Sequence, residues 1–405
     1  MHEVDWEQAR RLSHEAGRAL AVAAAPPQLV PLDAAAGRVL ARDATSLHSM
    51  PHYASSAMDG WVVAGEGPWR PEAAARPHAT AGTEPPPLAP GTARRIVTGE
   101  AIPAGATTVV RQEHAVVDPG HTVLRADPAP REGADIRAAG REASAGDELL
   151  RAGMRLTPGR IAVAAVGGHD VLPVTGPVRV RLVLTGDEVV TSGIPAPGQV
   201  RDAFGPVLPA CIDALGGTLV DAVRIGDDRR ATLEALDSPA AQGVDVLVST
   251  GGTGHSAADH LRPAAEQLGA RTLIGSVAMR PGHPAMLSRL PDGRLLVALP
   301  GNPLAALMTV VTLLEPLLAA ATGQPPSSPA RARAGEGIRG AGHSHRLVPA
   351  SWADPADRQV LVPSEHTGSA MMRGLAHADA VLVVPPAGTP AGADAGWLPL
   401  PWYGR

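Results

Sequence analysis

The spacing of apolar residues changes along the chain and predicts different kinds of structure in its first half and its second half. Residues 5–24 have apolar positions at helical spacing and predict an amphipathic helix. From about residue 28 to 140, Gly and Pro interrupt short apolar runs such as WVVAG, RRIVTG, TTVVRQEHAVV and HTVLRA. Such runs are typical of small antiparallel sheets. The first half is therefore expected to be an α+β region.

After Pro177, strand-like runs alternate with helical segments. The runs are VRVRLVLTGDEV, TLVDAVRIGDD, VDVLVSTGG and LLVALPGNP, and helices are predicted over 203–216, 228–242, 259–268 and from Leu304. This alternation predicts a doubly wound parallel α/β domain over residues 177–324. Beyond a Gly- and Pro-rich linker, the runs RQVLVP, DAVLVVPP and GWLPLPW predict a small C-terminal β domain.

Composition narrows the class of protein. The 405 residues are 44% hydrophobic, enough for more than one folded domain. The net charge of −5 argues against a general nucleic-acid or membrane-surface binder. The apolar run 304–321 is interrupted by Glu315-Pro316, so we expect a buried helix rather than a membrane span. The single cysteine, Cys211, excludes an intrachain disulfide, and we expect a soluble cytoplasmic protein.

Three loops follow predicted strands at the edge of the sheet where α/β domains bind ligands, namely LTGDE, STGGTG and LPGNP. Gly251, Gly252 and Gly254 allow backbone N–H groups to approach an anion closely. Asn302 and Pro303 are typical of a helix start that offers further N–H donors. Any one of these loops is also an ordinary turn, but the three together favour a site for phosphate or a similar anion.

Carboxylates occur at the same strand ends, at Asp187, Glu188, Asp227, Asp228 and Asp259. Carboxylate oxygens are ligands for Mg²⁺, which often bridges them to substrate phosphates. Asp228 and Asp259 also stand where a helix N-cap is expected. Capping and ligand binding are not exclusive, and both readings stay open for these two residues.

Arg280 and His283 flank a Pro-Gly turn in the segment VAMRPGHPAMLSRL. An arginine there has the fork geometry to clamp an oxyanion, although a lone exposed arginine is more often a solvated charge. His283 is more typical of a structural or solvent-facing residue than of a metal ligand. In the first half of the chain, Asp59 and Thr98 suit ordinary turns and indicate no chemistry by their pattern alone.

Several segments, in order, resemble one known family. SSAMDG, VTGEAIPAGATTVVRQE, IRAAGREASAGDELLRAG, LTGDEV, DVLVSTGGTG, MRPGHP and LPGNP are similar to the molybdopterin molybdenumtransferases, that is, the MoeA family and the gephyrin E domain. The resemblance runs from about residue 5 to 400, and GSAMM at 368–372 matches a C-terminal family segment. It implies an elongated N-terminal α+β region, an α/β molybdopterin-binding domain and a small C-terminal β domain. The implied bounds are 1–50 plus 141–176 for the elongated domain, 51–140 for an inserted small β domain, 177–324 and 328–405.

The resemblance also implies an activity, the Mg²⁺-dependent insertion of molybdate into adenylylated molybdopterin with release of AMP. It implies a homodimer whose site is shared between the α/β domain of one subunit and the SAMDG region of the other, a molybdopterin adenylyltransferase as upstream partner, and no nucleic-acid or membrane partner. The implied catalytic residues are Asp59, Thr98, Glu188, Asp228 and Asp259, of which Glu188, Asp228 and Asp259 would also hold the metal. The implied substrate-binding residues are Gly251, Gly252, Thr253, Gly254, Ser256, Arg280, Pro281, Gly282, His283, Pro300, Gly301, Asn302, Pro303 and Ser369.

The chain departs from the family pattern around the predicted anion site. Arg280, His283 and Ser276 stand where the family pattern has lysine, and the chain has no lysine at all. Its GGTGHS loop is closer to the loop of the related molybdopterin adenylyltransferases. Two other functions therefore stay open: a non-catalytic molybdopterin- or nucleotide-binding paralogue acting as scaffold or regulator, and an enzyme of the same fold that cleaves a different nucleotide diphosphate.

Overall fold

The computed structural model describes residues 3–20, 26–72, 82–254 and 259–402. The chain forms two compact units. The first unit comprises Met1–Gln28, Gly37–Ala41 and Pro173–Arg405, and the second comprises Leu29–Ala36 and Arg42–Leu172. The bounds of the four implied domains stay a prediction.

A six-stranded sheet forms the centre of the α/β domain, in the first unit. Its strands in spatial order are Gly217–Ile225, Val178–Thr185, Val246–Thr250, Leu295–Leu299, Met286–Arg289 and Arg271–Ile274. The first four are parallel to one another. Met286–Arg289 is antiparallel to both of its neighbours, Leu295–Leu299 and Arg271–Ile274. The chain places its second strand on one side of Val178–Thr185 and its third on the other, which creates the crevice where such sheets bind ligands. The predicted α/β domain is confirmed.

Helices cover both faces of this sheet. Val246 and Val248 pack into one apolar cluster and Leu247 into another, as expected for a strand buried on both sides. The shorter helices are Leu208–Ala214, Arg229–Asp237, Pro239–Gln242 and Leu261–Gln267. The helix predicted over 228–242 is broken at Ser238, because the residue before a proline avoids the helical conformation.

A long apolar helix fills the core on one face of the sheet. It consists of α-helical Pro303–Thr309, π-helical Val310–Leu314 and α-helical Glu315–Ala321. Pro316 has no N–H to donate to the carbonyl of Thr312, which favours the wider π turn before it. The helix is long and apolar enough to cross a membrane, yet it is buried within the protein, so the prediction of a buried helix is confirmed.

The N-terminal helix packs against this long helix. The helix predicted over 5–24 is Trp6–Arg18, and residues 21–24 lie outside the described residues. Arg10 forms a buried ion pair with Glu315 at 3.0 Å. The two helices approach most closely at Gly17, where a Cβ would lie 2.1 Å from the carbonyl oxygen of Leu317.

Five strands close the C-terminal β domain into a small barrel, which confirms that prediction. In order around the barrel they are His345–Trp352, Val360–Pro363, Ala330–Ala334, Asp394–Pro399 and Ala380–Val384, and the last pairs with the first. The short strand Met279–Arg280 adds to His345–Trp352 in parallel. A segment within the α/β domain, between helix Leu261–Gln267 and strand Met286–Arg289, is thus built into the sheet of the β domain.

Short elements complete the first unit. Its two-stranded pairs are Glu3–Val4 with Ser276–Val277, Val189–Val190 with Val200–Arg201, and Ile338–Arg339 with Gly388–Thr389, and its last helix is Arg373–Ala376.

The second unit contains the small antiparallel sheets that the first half of the sequence predicts. Its four-stranded sheet has the order Arg70–Pro71, Thr92–Ile96, Gly60–Val63 and Thr108–Arg111, with only the first pair parallel. Its two-stranded pairs are Ala115–Val117 with Leu124–Ala126, Ser55–Ser56 with Ile136–Arg137, and Ala44–Thr45 with Glu148–Leu150. Its helices are Pro158–Val166 and the 3-10 turns Leu32–Ala34 and Gln112–His114, and strands Gln28–Pro31 and Val171–Val174 lie at the bounds of the two units.

Candidate active site

The glycine loop after strand Val246–Thr250 has the backbone that the sequence predicts. Gly251 and Gly252 have φ of 73° and 65°, in the left-handed region that favours glycine. A Cβ on Gly251 would lie 2.6 Å from Oγ1 of Thr185, on the neighbouring strand. Glycine here therefore meets a packing requirement and also leaves the loop backbone accessible. Of the predicted loop residues, Ser256 lies outside the described residues.

Asp259 lies against the end of this loop. A Cβ on Gly254 would be 2.7 Å from Oδ2 of Asp259, so the missing side chain makes room for the carboxylate. Thr253, the residue before Gly254, is buried and exposes 3% of its surface. The loop and the carboxylate predicted to act together are in contact.

Two more strand ends carry the other predicted carboxylates. The N–H of Asp187 donates to Oδ2 of Asp227 at 3.3 Å, which joins the ends of adjacent strands. A Cβ on Gly186 would lie 2.8 Å from Oε2 of Glu188, so this carboxylate folds back over its own strand end. Asp228 caps helix Arg229–Asp237 and its Oδ1 accepts from the N–H of Ala231 at 2.8 Å, which confirms its capping role.

These carboxylates do not form a closed metal site. Across residues 3–20, 26–72, 82–254 and 259–402, no three His, Cys, Asp or Glu side chains are placed to hold a metal ion together. Glu188 and Asp228 are exposed at the strand ends. Such carboxylates suit a Mg²⁺ ion that keeps several waters and gains its other ligands from a substrate phosphate.

A cleft of about 590 Å³ opens between the α/β sheet and the C-terminal barrel, within the first unit. It gathers the two predicted loops, with Arg280 and Gly282 from one and Asn302 from the other. Ser369 and Arg346 line it from the C-terminal side. Predicted residues Pro281, His283 and Pro300 lie in the same lining.

Two arginines stand side by side in this cleft. Arg280 and Arg346 are direct partners in the parallel pairing of their strands, so their side chains leave the same face. Arg346 donates from Nη1 to the carbonyl of Arg339 at 3.0 Å. Within the described part of the chain, neither guanidinium forms an ion pair with a carboxylate. Adjacent like charges repel each other, and an anion bound between them would remove that repulsion.

Sequence reasoning missed Arg346. It lies in the run HSHRLVP, where apolar and polar residues do not alternate and no strand is predicted. Only the parallel pairing with Met279–Arg280 places it beside Arg280.

The helix start at Asn302 joins the glycine loop to the cleft. A Cβ on Gly301 would lie 3.7 Å from the Cα of Gly251. Asn302 is the N-cap residue and Pro303 the first helical residue, as predicted, but the Asn302 side chain makes no capping hydrogen bond. One of the expected free donors is already used, because the N–H of Ala305 donates to the carbonyl of Ser369 at 3.1 Å.

His283 faces the cleft and also the N-terminus. Its Nε2 lies 3.5 Å from Oε1 of Glu3, and Nε2 of His343 lies at the same distance from that oxygen. Both separations exceed those of a good hydrogen bond. The histidine therefore belongs to a loose, exposed polar cluster at the rim.

Asp59 and Thr98 form a compact pair in the second unit. Oδ1 of Asp59 accepts from the N–H of Thr98 at 2.7 Å and from its Oγ1 at 2.8 Å. The backbone N–H and then the hydroxyl of Thr98 lower the pKa of Asp59, because both stabilise the charged carboxylate. A Cβ on Gly60 would lie 2.1 Å from the carbonyl oxygen of Val110, which explains the glycine after this aspartate.

Comparison with protein-family models matches three consecutive regions of the chain. Residues 4–168 match the MoeA N-terminal region (domain I and II), residues 181–320 match a probable molybdopterin binding domain, and residues 331–400 match the MoeA C-terminal region (domain IV).

Curated relatives and solved structures agree with these matches. A molybdopterin molybdenumtransferase of Synechococcus elongatus is 35% identical over 302 residues, which is 72% of this chain and 74% of the relative. Molybdopterin molybdenumtransferase 2 of Mycobacterium tuberculosis is 32% identical over 315 residues, 74% of this chain and 76% of the relative. The structure of the molybdopterin biosynthesis MoeA protein of Pyrococcus horikoshii superimposes with a TM-score of 0.76 at 23% identity, covering 98% of this chain and 99% of the other, which shows the shared fold.

Proposed function

Since this chain belongs to the MoeA family of molybdopterin molybdenumtransferases, we propose that its glycine loop and its arginine cleft hold the two substrates of that reaction. The protein is a transferase of molybdenum cofactor biosynthesis. The substrates proposed here are adenylylated molybdopterin and molybdate, and the products are molybdenum cofactor and AMP.

The adjacent arginines are the observation that carries this assignment. Arg280 and Arg346 put two positive charges on one face of the cleft, and neither pairs with a carboxylate among the residues that the structure describes. Molybdate is a small dianion with four acceptor oxygens, and two guanidinium forks match its charge and its geometry. The cleft therefore has two cations although Ser276 and His283 replace lysines of the family pattern.

The strand ends would hold the adenylylated pterin. The glycine loop lies at the carboxyl ends of the strands, where parallel α/β sheets bind ligands. The N–H of Gly251 already donates to the carbonyl of Leu299 at 2.9 Å, so the later N–H groups of the loop would be the donors to an anion. The start of the long helix lies close to the glycine loop, since a Cβ on Gly301 would be 3.7 Å from the Cα of Gly251. The two segments can therefore bind one elongated ligand.

Because no three of these carboxylates converge among the described residues, Glu188, Asp228 and Asp259 would supply at most two ligands to a Mg²⁺ ion, with waters and the substrate diphosphate supplying the others. The ion would neutralise phosphate charge as the diphosphate bond breaks. Water supplies the oxygen that replaces the bridging oxygen on one phosphorus, and AMP leaves. The carboxylates of this chain orient the diphosphate and the attacking water at the strand ends.

Asp59 and Thr98 would complete the site from a second copy of the chain, in a homodimer. The hydrogen bonds from Thr98 lower the pKa of Asp59 and orient its carboxylate, so it would present a fixed acceptor to the substrate. The proposed setting is the cytoplasm, where an adenylyl-transfer reaction must supply the activated molybdopterin.

A reconstitution with the purified protein, adenylylated molybdopterin, molybdate and Mg²⁺ tests this function. We expect AMP release together with cofactor that activates an apo-molybdoenzyme. AMP release without cofactor would support a different diphosphate-cleaving enzyme. Tight binding without turnover would support a scaffold or regulator.

Replacing one carboxylate in the same assay tests the site itself. Asp259→Ala is expected to lower AMP release by at least about 100-fold, because it removes an oxygen ligand next to the diphosphate. Asp213→Ala, at an exposed position on helix Leu208–Ala214, serves as control and is expected to keep wild-type turnover. Wild-type AMP release by a folded Asp259→Ala protein would remove Asp259 from the site.

A further inference from the structure

Arg262 connects three loops through backbone carbonyls. It is the second residue of helix Leu261–Gln267 and is half-buried. Its Nε donates to the carbonyl of Thr253 at 3.0 Å. Its Nη2 donates to the carbonyls of Gly275 at 2.7 Å and Pro284 at 3.3 Å. One guanidinium thus reaches three segments that are separated in the chain.

The segments tied by Arg262 are those assigned above to different substrates. Thr253 belongs to the glycine loop, proposed to hold the pterin nucleotide. Pro284 ends the Arg280 turn, proposed to hold molybdate. Gly275 precedes strand Ser276–Val277, which leads into that turn. The guanidinium therefore joins the two half-sites through their backbone carbonyls.

Placing the Arg262 guanidinium in a half-buried position costs free energy, because its charge is partly removed from water. Burial lowers the pKa of the Arg262 guanidinium, because desolvation disfavours its charge, while the carboxylates of Asp259 and Glu266 act in the opposite direction. Its hydrogen bonds go to neutral carbonyls and to the Sδ of Met286 at 3.5 Å. A fork with fixed geometry holds carbonyls at set positions better than a flexible ammonium does.

We propose that Arg262 is a positioning residue that fixes the separation between the glycine loop and the Arg280 turn, and so aligns molybdate with the pterin dithiolene. This inference rests on the proposed function. Binding of each substrate alone involves only one of the two loops that Arg262 joins, and should survive the loss of Arg262. Transfer between them depends on both loops, and a misplacement of about 1 Å lowers such a step by about 100-fold.

The test uses two variants at this position and one control. Arg262→Met removes the donors but fills similar space, and Arg262→Lys keeps the charge with fewer carbonyl bonds. Arg294→Met is the control, because Arg294 also ties carbonyls, those of Leu236 at 2.8 Å and Ala241 at 2.9 Å, but immediately before strand Leu295–Leu299, away from the carboxyl ends.

For each protein, calorimetry gives Kd for molybdate and for adenylylated molybdopterin, and single-turnover assays give the rate of molybdenum insertion. We expect Arg262→Met to keep each Kd within about threefold and to lower the insertion rate by about 10- to 100-fold. Arg262→Lys should recover part of that rate. Arg294→Met should lower the melting temperature and leave the insertion rate of the folded protein unchanged.

Two results would overturn the inference alone. One is a folded Arg262→Met protein with the wild-type insertion rate. The other is an equal fall in insertion rate in Arg294→Met, which would make both arginines ordinary contributors to stability. If the wild-type protein inserts no molybdenum, the proposed function fails, and the role of Arg262 in it fails as well.

Discussion

At three positions of the candidate site, an oxygen atom of a neighbouring side chain occupies the space that a Cβ would need and that glycine leaves open. A Cβ on Gly251 would meet the hydroxyl of Thr185. In the same way, a Cβ on Gly254 would meet the carboxylate of Asp259, and a Cβ on Gly186 would meet the carboxylate of Glu188. The sequence predicts from these glycines that the backbone is open to an anion. The structure adds that the same glycines let polar side chains pack at the strand ends, which the spacing of glycines cannot show.

The hydrogen bonds between Thr98 and Asp59 predict how a change at Thr98 alters the pKa of Asp59. Thr98→Val removes the hydroxyl donor but leaves the backbone N–H, so the pKa of Asp59 should rise part of the way towards the ordinary value of about 3.9. Because the pKa of Asp59 is lower in the folded protein than in the unfolded chain, these hydrogen bonds stabilise the fold at pH values above the unfolded pKa. The stabilisation is lost as the pH falls through the folded pKa. NMR titration of the Asp59 carboxyl carbon measures the change.

Thr98→Ser is the matched variant, since it keeps a hydroxyl at the same position. It should leave the pKa of Asp59 at its wild-type value. An unchanged pKa in Thr98→Val would show that the backbone N–H alone sets the charge of Asp59.

At the scale of elements, the periodicity of the sequence predicts the parallel sheet and the buried helix correctly, because alternating strands and helices leave a strong pattern. It does not predict the antiparallel hairpin of Arg271–Ile274 and Met286–Arg289, whose runs RTLI and MLSR are short and do not alternate regularly. Nor does it predict that Met279–Arg280 joins the barrel. Pairing between distant strands depends on the tertiary fold, so Arg346 could not be placed beside Arg280 from the sequence.

The packing of the N-terminal helix on the long apolar helix gives a stability prediction. Gly17→Ala would put a methyl group 2.1 Å from the carbonyl oxygen of Leu317, so the helices must separate. We expect the free energy of unfolding to fall by about 1–3 kcal/mol, as for other overpacked cores. Chemical denaturation followed by circular dichroism measures this loss.

Gly159→Ala is the control for the helical glycine itself. Gly159 lies in helix Pro158–Val166, and a Cβ there would meet no atom within 4 Å. This variant should be neutral or more stable by about 0.5–1 kcal/mol. Equal destabilisation by both changes would argue against a close helix contact at Gly17.

At the scale of the whole molecule, the candidate residues belong to two separate units. Asp59 and Thr98 lie in the second unit, and the glycine loop, the carboxylates of the strand ends and the arginine cleft lie in the first. The proposed homodimer would bring the second unit of one copy to the first unit of the other.

Complementation between inactive variants tests this arrangement. Asp59→Asn and Asp259→Asn should each be inactive alone. In a symmetric dimer with a shared site, random mixing makes half of the dimers mixed, and each mixed dimer has one intact site of two. Coexpression should therefore restore about a quarter of wild-type AMP release.

Coexpression of Asp228→Asn with Asp259→Asn is the control, because both residues lie in the first unit and every site would stay defective. No recovery with Asp59→Asn would show that Asp59 acts within its own chain or outside the site.

Because strand Met279–Arg280 pairs with a strand of the C-terminal barrel, the chain cannot be cut between the α/β domain and the barrel without affecting Arg280. Although residues 325–327, between the predicted domains 177–324 and 328–405, look like a natural place to cut, Arg280 lies in a strand that pairs with His345–Trp352, beyond that point. A fragment ending there would keep the nucleotide-side loops and lose the scaffold for Arg280 along with Arg346. Truncation or domain exchange at this point would thus separate the proposed nucleotide site from the proposed molybdate site, so the C-terminal barrel and the α/β domain have to be kept together.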